Sequence, residues 1–84
     1  MGWVPEWDHL TEREQAVVAR VAIGMTNREI AQALHLAIST AKSHLSSAML
    51  KLGVTNRTQA ALIALHADSP MVQEMMARVY PDTA

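Results

Sequence analysis

The stretch from Thr26 to Leu52 leaves the chain little freedom of fold. Thr26 and Glu29 stand three residues apart ahead of Ile30, Ala31 and Leu34, a capping box opening a short helix that ends at Leu34. A longer helix starts near Ile38 and is stopped by Gly53. Only His35-Leu36-Ala37 lies between them, which allows nothing but a sharp turn, so the pair reads as a helix-turn-helix. On the longer helix Ala41, Leu45, Ala48, Met49 and Leu52 recur at helical spacing and form a stripe that packs inward. On the opposite side stand Lys42, Ser43, Ser46 and Ser47, small donors beside one cation. A helix with such an outer face can enter a DNA major groove without steric conflict, and the pattern points to a DNA-binding domain.

The flanking sequence supplies further helices. Thr11 and Glu14 form another capping box, with Glu12 and Glu14 suited to the positive end of a helix dipole. Val17, Val18, Val21 and Ala22 give that first helix its buried face, and Gly24 ends it. Met25 and Ile30 are spaced for a hydrophobic staple across the start of the second helix. After Gly53, Val54 reads as a core plug, and a fourth helix runs from a cap at Asn56 to about Ala67. Ala60, Ala61 and Ala64 can pack on the bundle. Leu62, with Ile63 and Leu65 flanking it, is then surplus, and asks for a second burial partner: a symmetry mate or the C-terminal segment. That segment is a fifth helix, capped by Ser69, with Pro70 at its first position and Pro81 closing it. Its stripe of Met71, Val72, Met75, Met76, Val79 and Tyr80 is expected to pack on its own domain.

The fold expected is therefore all-α: a four-helix helix-turn-helix bundle with an additional short C-terminal helix. Residues 1–9 make an irregular lead-in in which Trp3 or Trp7 covers the side of the bundle, 10–67 the domain, and 68–84 the extension. With no Phe and one Tyr in 84 residues, the core has to be built from aliphatic side chains. The absence of cysteine excludes disulfides and thiolate metal sites. No membrane-length apolar run or signal peptide is present, so a cytoplasmic location is expected.

A net charge of −1 looks wrong for a nucleic-acid binder until it is divided along the chain. Residues 1–14 carry −3, from Glu6, Asp8, Glu12 and Glu14 against Arg13. Residues 68–84 carry −2, from Asp68, Glu74 and Asp82 against Arg78. The middle, 15–67, carries +4, from Arg20, Arg28, Lys42, Lys51 and Arg57 against Glu29. The helix-turn-helix is thus basic between acidic ends.

Four runs together resemble a known family. Leu10-Thr11-x-Arg13-Glu14 is followed by Ala22-x-Gly24-x-Thr26-Asn27-Arg28-Glu29-Ile30-Ala31-x-x-Leu34. Then come Thr40-x-Lys42-x-His44 and Lys51-Leu52-Gly53-Val54-x-x-Arg57-x-x-Ala60. Over residues 10–67 they look like the LuxR/GerE-type (NarL-like) helix-turn-helix, the output domain of many bacterial transcription regulators. The resemblance implies double-stranded DNA as ligand, helix three in the major groove, and a homodimer through the fourth helix at Leu62, Ile63, Leu65 and His66. It implies base contacts from Lys42, Ser43 and Ser46. It also implies phosphate contacts from Asn27, Arg28, Ser39, Thr40, Lys51 and Arg57, helped by the N-terminal amides of helices two and three. Two roles stand open for His44, bracing helix three or touching the DNA backbone.

The sequence departs from the family pattern at four positions. Ala37 stands where a Ser or Thr cap is usual, unless Ser39 takes the role. Ile38 is apolar where a polar residue is common, Ala48 is smaller than the usual Ile, and Leu50 replaces a frequent basic residue. Together they imply weaker non-specific DNA affinity. No cofactor is expected: His9, His35, His44 and His66 lack metal-ligand spacing, and no nucleophile–base set that would mark an enzyme is present. The rival reading is a protein-interaction module of the same fold, binding RNA polymerase or a second regulator. The chain holds no room for a receiver or sensing domain, so it is expected to be a stand-alone regulator or an effector domain.

Overall fold

The computed structural model describes residues 5–67 and 69–80, and among them every regular element is helical. A 3-10 helix, Pro5–His9, leads into α1 (Glu12–Ala22), α2 (Asn27–Leu34), α3 (Ile38–Leu52), α4 (Arg57–His66) and α5 (Pro70–Val79). Trp3 and Pro81, for which roles were expected, lie outside the described residues.

Four of the five α-helices among the described residues are entered through a short polar residue. Thr11 accepts from the Glu14 amide at 3.1 Å while the Glu14 carboxylate accepts from the Thr11 amide at 2.8 Å. Thr26 and Glu29 repeat this reciprocal pair at 3.2 and 2.8 Å. Asn56 caps α4 and Ser69 caps α5. Ala37 gives α3 no side-chain cap, and Ser39 does not replace it.

The exits of α1, α2 and α3 share one device. Gly24, His35 and Gly53 each adopt a left-handed conformation, at φ of 94°, 58° and 72°. In each case the following amide reaches back to the last turn: Met25 to the Arg20 carbonyl, Leu36 to Ala31, Val54 to Met49, at 3.1, 2.8 and 3.1 Å. Those following residues are all apolar and half-buried, as this type of helix end favours. The turn of the helix-turn-helix therefore rests on a histidine in a conformation that glycine takes more readily.

α1 is the centre of the bundle, with α3, α4 and α5 packed around it and α2 held mainly against α3. Val17, Val18 and Ile30 are the largest fully buried side chains, and Ala19, Ala48, Ala60 and Ala64 let backbones approach closely between them. Ala22 and Met49 lie at the rim. The aliphatic core expected from composition needs one correction, because Trp7 is buried in it. Pro5–His9 form a 3-10 helix where an irregular stretch was expected, and the Trp7 carbonyl accepts from the Leu10 amide and from the Gln15 side chain, at 3.1 and 2.9 Å. α5 lies on α1 through buried Val72, with Met71, Met75 and Met76 half-buried beside it.

One carboxylate crosses the bundle. Glu14, 4 % exposed, receives Lys51 Nζ at 2.8 Å and Ser47 Oγ at 2.6 Å, both from α3, besides the Thr11 amide. Burial by itself works against ionisation of Glu14, but hydrogen bonds from Lys51, Ser47 and the Thr11 amide, with the Lys51 charge, outweigh it and hold the carboxyl at about 2. The unfolded chain takes up this proton near the ordinary 4.5. The stability Glu14 contributes is therefore complete above about pH 5 and lost as pH falls toward 2, on the order of 2–3 kcal/mol with Lys51 partly in water. Glu14→Gln should lower the urea-unfolding free energy at neutral pH by about 2 kcal/mol. The gap between variant and parent should close in acid, and a constant gap from neutral pH to pH 3 would show that the carboxylate charge is not what holds α3. A cap supplied by Ala37→Ser should raise the thermal midpoint, by the equivalent of about 1 kcal/mol.

Candidate nucleic-acid interface

The outer surface of α3 is made by its own periodicity. Ala41, Leu45, Ala48 and Leu52 are buried, which turns Ser39, Lys42, Ser43 and Ser46 to solvent. Thr40 is exposed as well, while His44 is half-buried, closer to a bracing position than to the crest of the helix. The three base-contact candidates thus share one exposed face, spaced at i, i+1 and i+4.

Ser47 is not part of that face. It lies on the flank toward α1, where its hydroxyl donates to Glu14. Lys51, one turn further on, occupies the same flank and is engaged with the same carboxylate. Its charge is largely compensated there, and it is less available to a phosphate than its number in the sequence implies. Arg20 is also withdrawn from the basic surface, with Nη1 donating to the Ala16 carbonyl of its own helix at 3.0 Å. Of the five cations between residues 15 and 67, Lys42 and Arg28 present exposed side chains with no ion pair among the described residues.

Arg57 and Asn27 come together from opposite parts of the chain. Arg57 Nη1 donates to Asn27 Oδ1 at 2.8 Å, and Nη2 donates to the Met25 carbonyl at 2.9 Å. The guanidinium at the start of α4 thereby fastens the turn before α2 and the first turn of α2 itself. With Oδ1 turned to Arg57, the Asn27 amide group must direct its Nδ2 hydrogens the other way. Arg28 stands beside it, exposed, at the positive end of the α2 dipole.

At the far side of α4, Leu62 is 52 % and Leu65 43 % exposed, while Ile63 turns partly into the core. The His66 ring Nδ1 lies 2.8 Å from the Leu62 carbonyl one turn back. α5 packs on α1 and leaves both leucines uncovered. Among the described residues no three His, Asp or Glu side chains gather closely enough to hold a metal ion, and no helix is long and apolar enough to cross a membrane.

The contribution of Glu14 to this surface was missed by reading its capping box alone. The signal existed: Glu14, Val17, Val18 and Val21 follow i, i+3, i+4, i+7, so extending the apolar stripe of α1 back by one turn lands on the carboxylate. The Arg57–Asn27 pair had no such signal, since its partners are 30 residues apart.

Comparison with known proteins agrees with the geometry. The family described as bacterial regulatory proteins, luxR family, matches residues 8–64. The response regulator protein VraR of Staphylococcus aureus is 45% identical over 58 residues, covering 69% of this chain and 28% of that protein. The VraR proteins of Staphylococcus saprophyticus and Staphylococcus epidermidis are similar to the same degree over the same shares. The chain thus spans just over a quarter of the length of these curated relatives. No solved structure matches it significantly.

Proposed function

The chain belongs to the luxR family of bacterial regulatory proteins, a family of DNA-binding helix-turn-helix transcription regulators, and from that premise we propose how it engages its site. α3 lies in the major groove of double-stranded DNA. Lys42 donates to guanine O6 or N7, and Ser43 and Ser46 meet neighbouring base edges. The observation that carries this reading is the single exposed face formed by these three side chains on a helix whose other sides are buried or tied to α1.

Phosphates are met on either side of the groove. Arg28 supplies charge, and Asn27 supplies its Nδ2 hydrogens, held outward by Arg57. The exposed first turn of α3 adds free amides with Ser39 and Thr40, because no side-chain cap competes for them at Ala37. In this reading Arg57 works mainly by positioning Asn27 and the turn before α2, and Lys51 by seating α3. Two copies pair through Leu62 and Leu65 of α4, with Ile63 and His66 at the edge, and so read two half-sites.

Selection from a random duplex pool at low and physiological salt tests the reading. An enriched inverted repeat, with affinity falling steeply as salt rises, is expected. Enrichment of nothing at either salt favours an interaction module that contacts another regulator or polymerase. On the enriched site, Lys42→Ala should weaken binding about 10- to 100-fold and relax one base position, whereas Arg28→Ala should weaken all sequences alike and flatten the salt dependence.

Dimerisation has its own readout. Leu62→Glu should convert two-to-one complexes on the inverted repeat into one-to-one complexes, seen by sedimentation, and leave helix content intact because Leu62 is half in water already. Unchanged stoichiometry rules out the α4 contact.

A further inference from the structure

Leu50 is the most exposed large apolar side chain among the described residues, at 83 %. The other exposed apolar residue of α3, Ile38, stands in its first turn at the margin of the buried stripe, beside the positions of Ala41 and Leu45. Leu50 has no such explanation. With about 100° of turn per residue it falls between Ser46 and Ser43 on the circumference of the helix, roughly 40° from the first and 20° from the second. It is thus in the middle of the face assigned to DNA, on the last turns of α3, about 12 Å along the axis from Lys42 or three to four base pairs.

We infer that Leu50 is a specificity-determining residue that packs against the C5-methyl group of a thymine at the margin of the half-site. The inference rests on the α3-in-groove reading above. A position on this face that met a phosphate would call for a donor or a cation, and an isobutyl group supplies neither. The one apolar group that base pairs display in the major groove is the thymine methyl, which marks T against C and fixes the orientation of an A·T pair. It stands toward the groove wall, where a side chain on the departing end of a recognition helix comes near. The neighbours of Leu50 suit a base-edge contact, since Ser43, Ser46 and Ser47 on the preceding turns are too small to shield it. Nothing of the fold depends on the side chain: it is nearly all in water, and the core stripe of α3 runs along the other side.

The test uses the site enriched from the random pool, with the wild-type chain and Leu50→Ala. Ala keeps the helix while withdrawing the branched end of the side chain, and matching circular-dichroism melts check that fold. The wild type is expected to enrich a thymine flanking the positions read by Lys42 and Ser43, and Leu50→Ala to enrich the same site without that preference. Replacing this thymine by deoxyuridine removes one methyl and should weaken the wild type about fourfold. The same replacement should change binding by Leu50→Ala little, so that the two losses do not add. A flanking thymine preference that survives in Leu50→Ala, or a deoxyuridine loss equal in both proteins, overturns the assignment while leaving α3 in the groove. A wild type that binds a specific site with no loss at any deoxyuridine also overturns it. Absence of any enriched site removes the DNA reading itself, and Leu50's role with it.

Discussion

Glu14 ties α3 to α1, two helices that otherwise meet through apolar side chains. Its carboxylate closes the capping box of α1, receives the Ser47 hydroxyl and receives the Lys51 ammonium. Apolar stripes are tolerant of sliding, since Ala and Leu at neighbouring turns offer similar surfaces. A buried carboxylate is not tolerant, because any register that separates it from its donors leaves a charge without compensation. The ion pair therefore selects one rotation and one height for α3 against α1. That choice decides which side of α3 faces outward, and so the identity of the three residues in the exposed arc is set by a contact on the adjoining flank.

The same logic explains why a basic residue in a helix-turn-helix is not automatically a DNA contact. Five cations lie in the middle stretch of the chain. Lys51, Arg20 and Arg57 each have an internal acceptor, a carboxylate in the first case and backbone or amide oxygens in the others. Lys51 and Arg57 belong to runs that resemble the family pattern, yet their geometry gives them to the scaffold first. Under the proposed reading, what remains for DNA is a lightly charged surface of Lys42, Arg28, several hydroxyls, one oriented amide and the first-turn amides of α3. Such a surface obtains less of its affinity from counterion release than a lysine-rich one, and a larger share from fit to bases.

Much of the fold was legible because its signals are local. Capping boxes at Thr11 and Thr26, glycines at 24 and 53, and Pro70 after Ser69 each act within a turn or two, so residue type alone locates the boundaries. The exit at His35 was visible as a turn but not as a left-handed histidine, because that conformation is imposed by the three-residue connection and not by a preference of the side chain. The exposed arc of α3 was legible apart from Ser47, whose place on the flank depends on Glu14. Long-range polar pairs were not legible: Ser47 and Lys51 are 33 and 37 residues from Glu14, and no periodicity connects them. Trp7, one of the two indoles expected to cover the bundle, is buried in the core itself, a depth that counting aromatics does not reveal.

The exposed leucines of α4 and of α3 call for different explanations. Leu62 and Leu65 lie close together on α4, and α5, which could have covered them, is held on α1 by Val72 and the methionines around it. An adjacent pair of leucines is a surface for another apolar surface, and a second copy presents the same pair by symmetry. Leu50 stands alone among serines, where no extended apolar partner could dock without burying hydroxyls. A single branched side chain in a polar setting suits a single methyl in a polar setting, which is how thymine appears in the major groove. The helix rise fixes the distance along α3 from Lys42 to Leu50, and Glu14 fixes which way the face carrying both is turned relative to α1. A cation and an isobutyl group about 12 Å apart on one rigid face form a ruler, and under the proposed reading what it measures is the spacing between a guanine and a thymine.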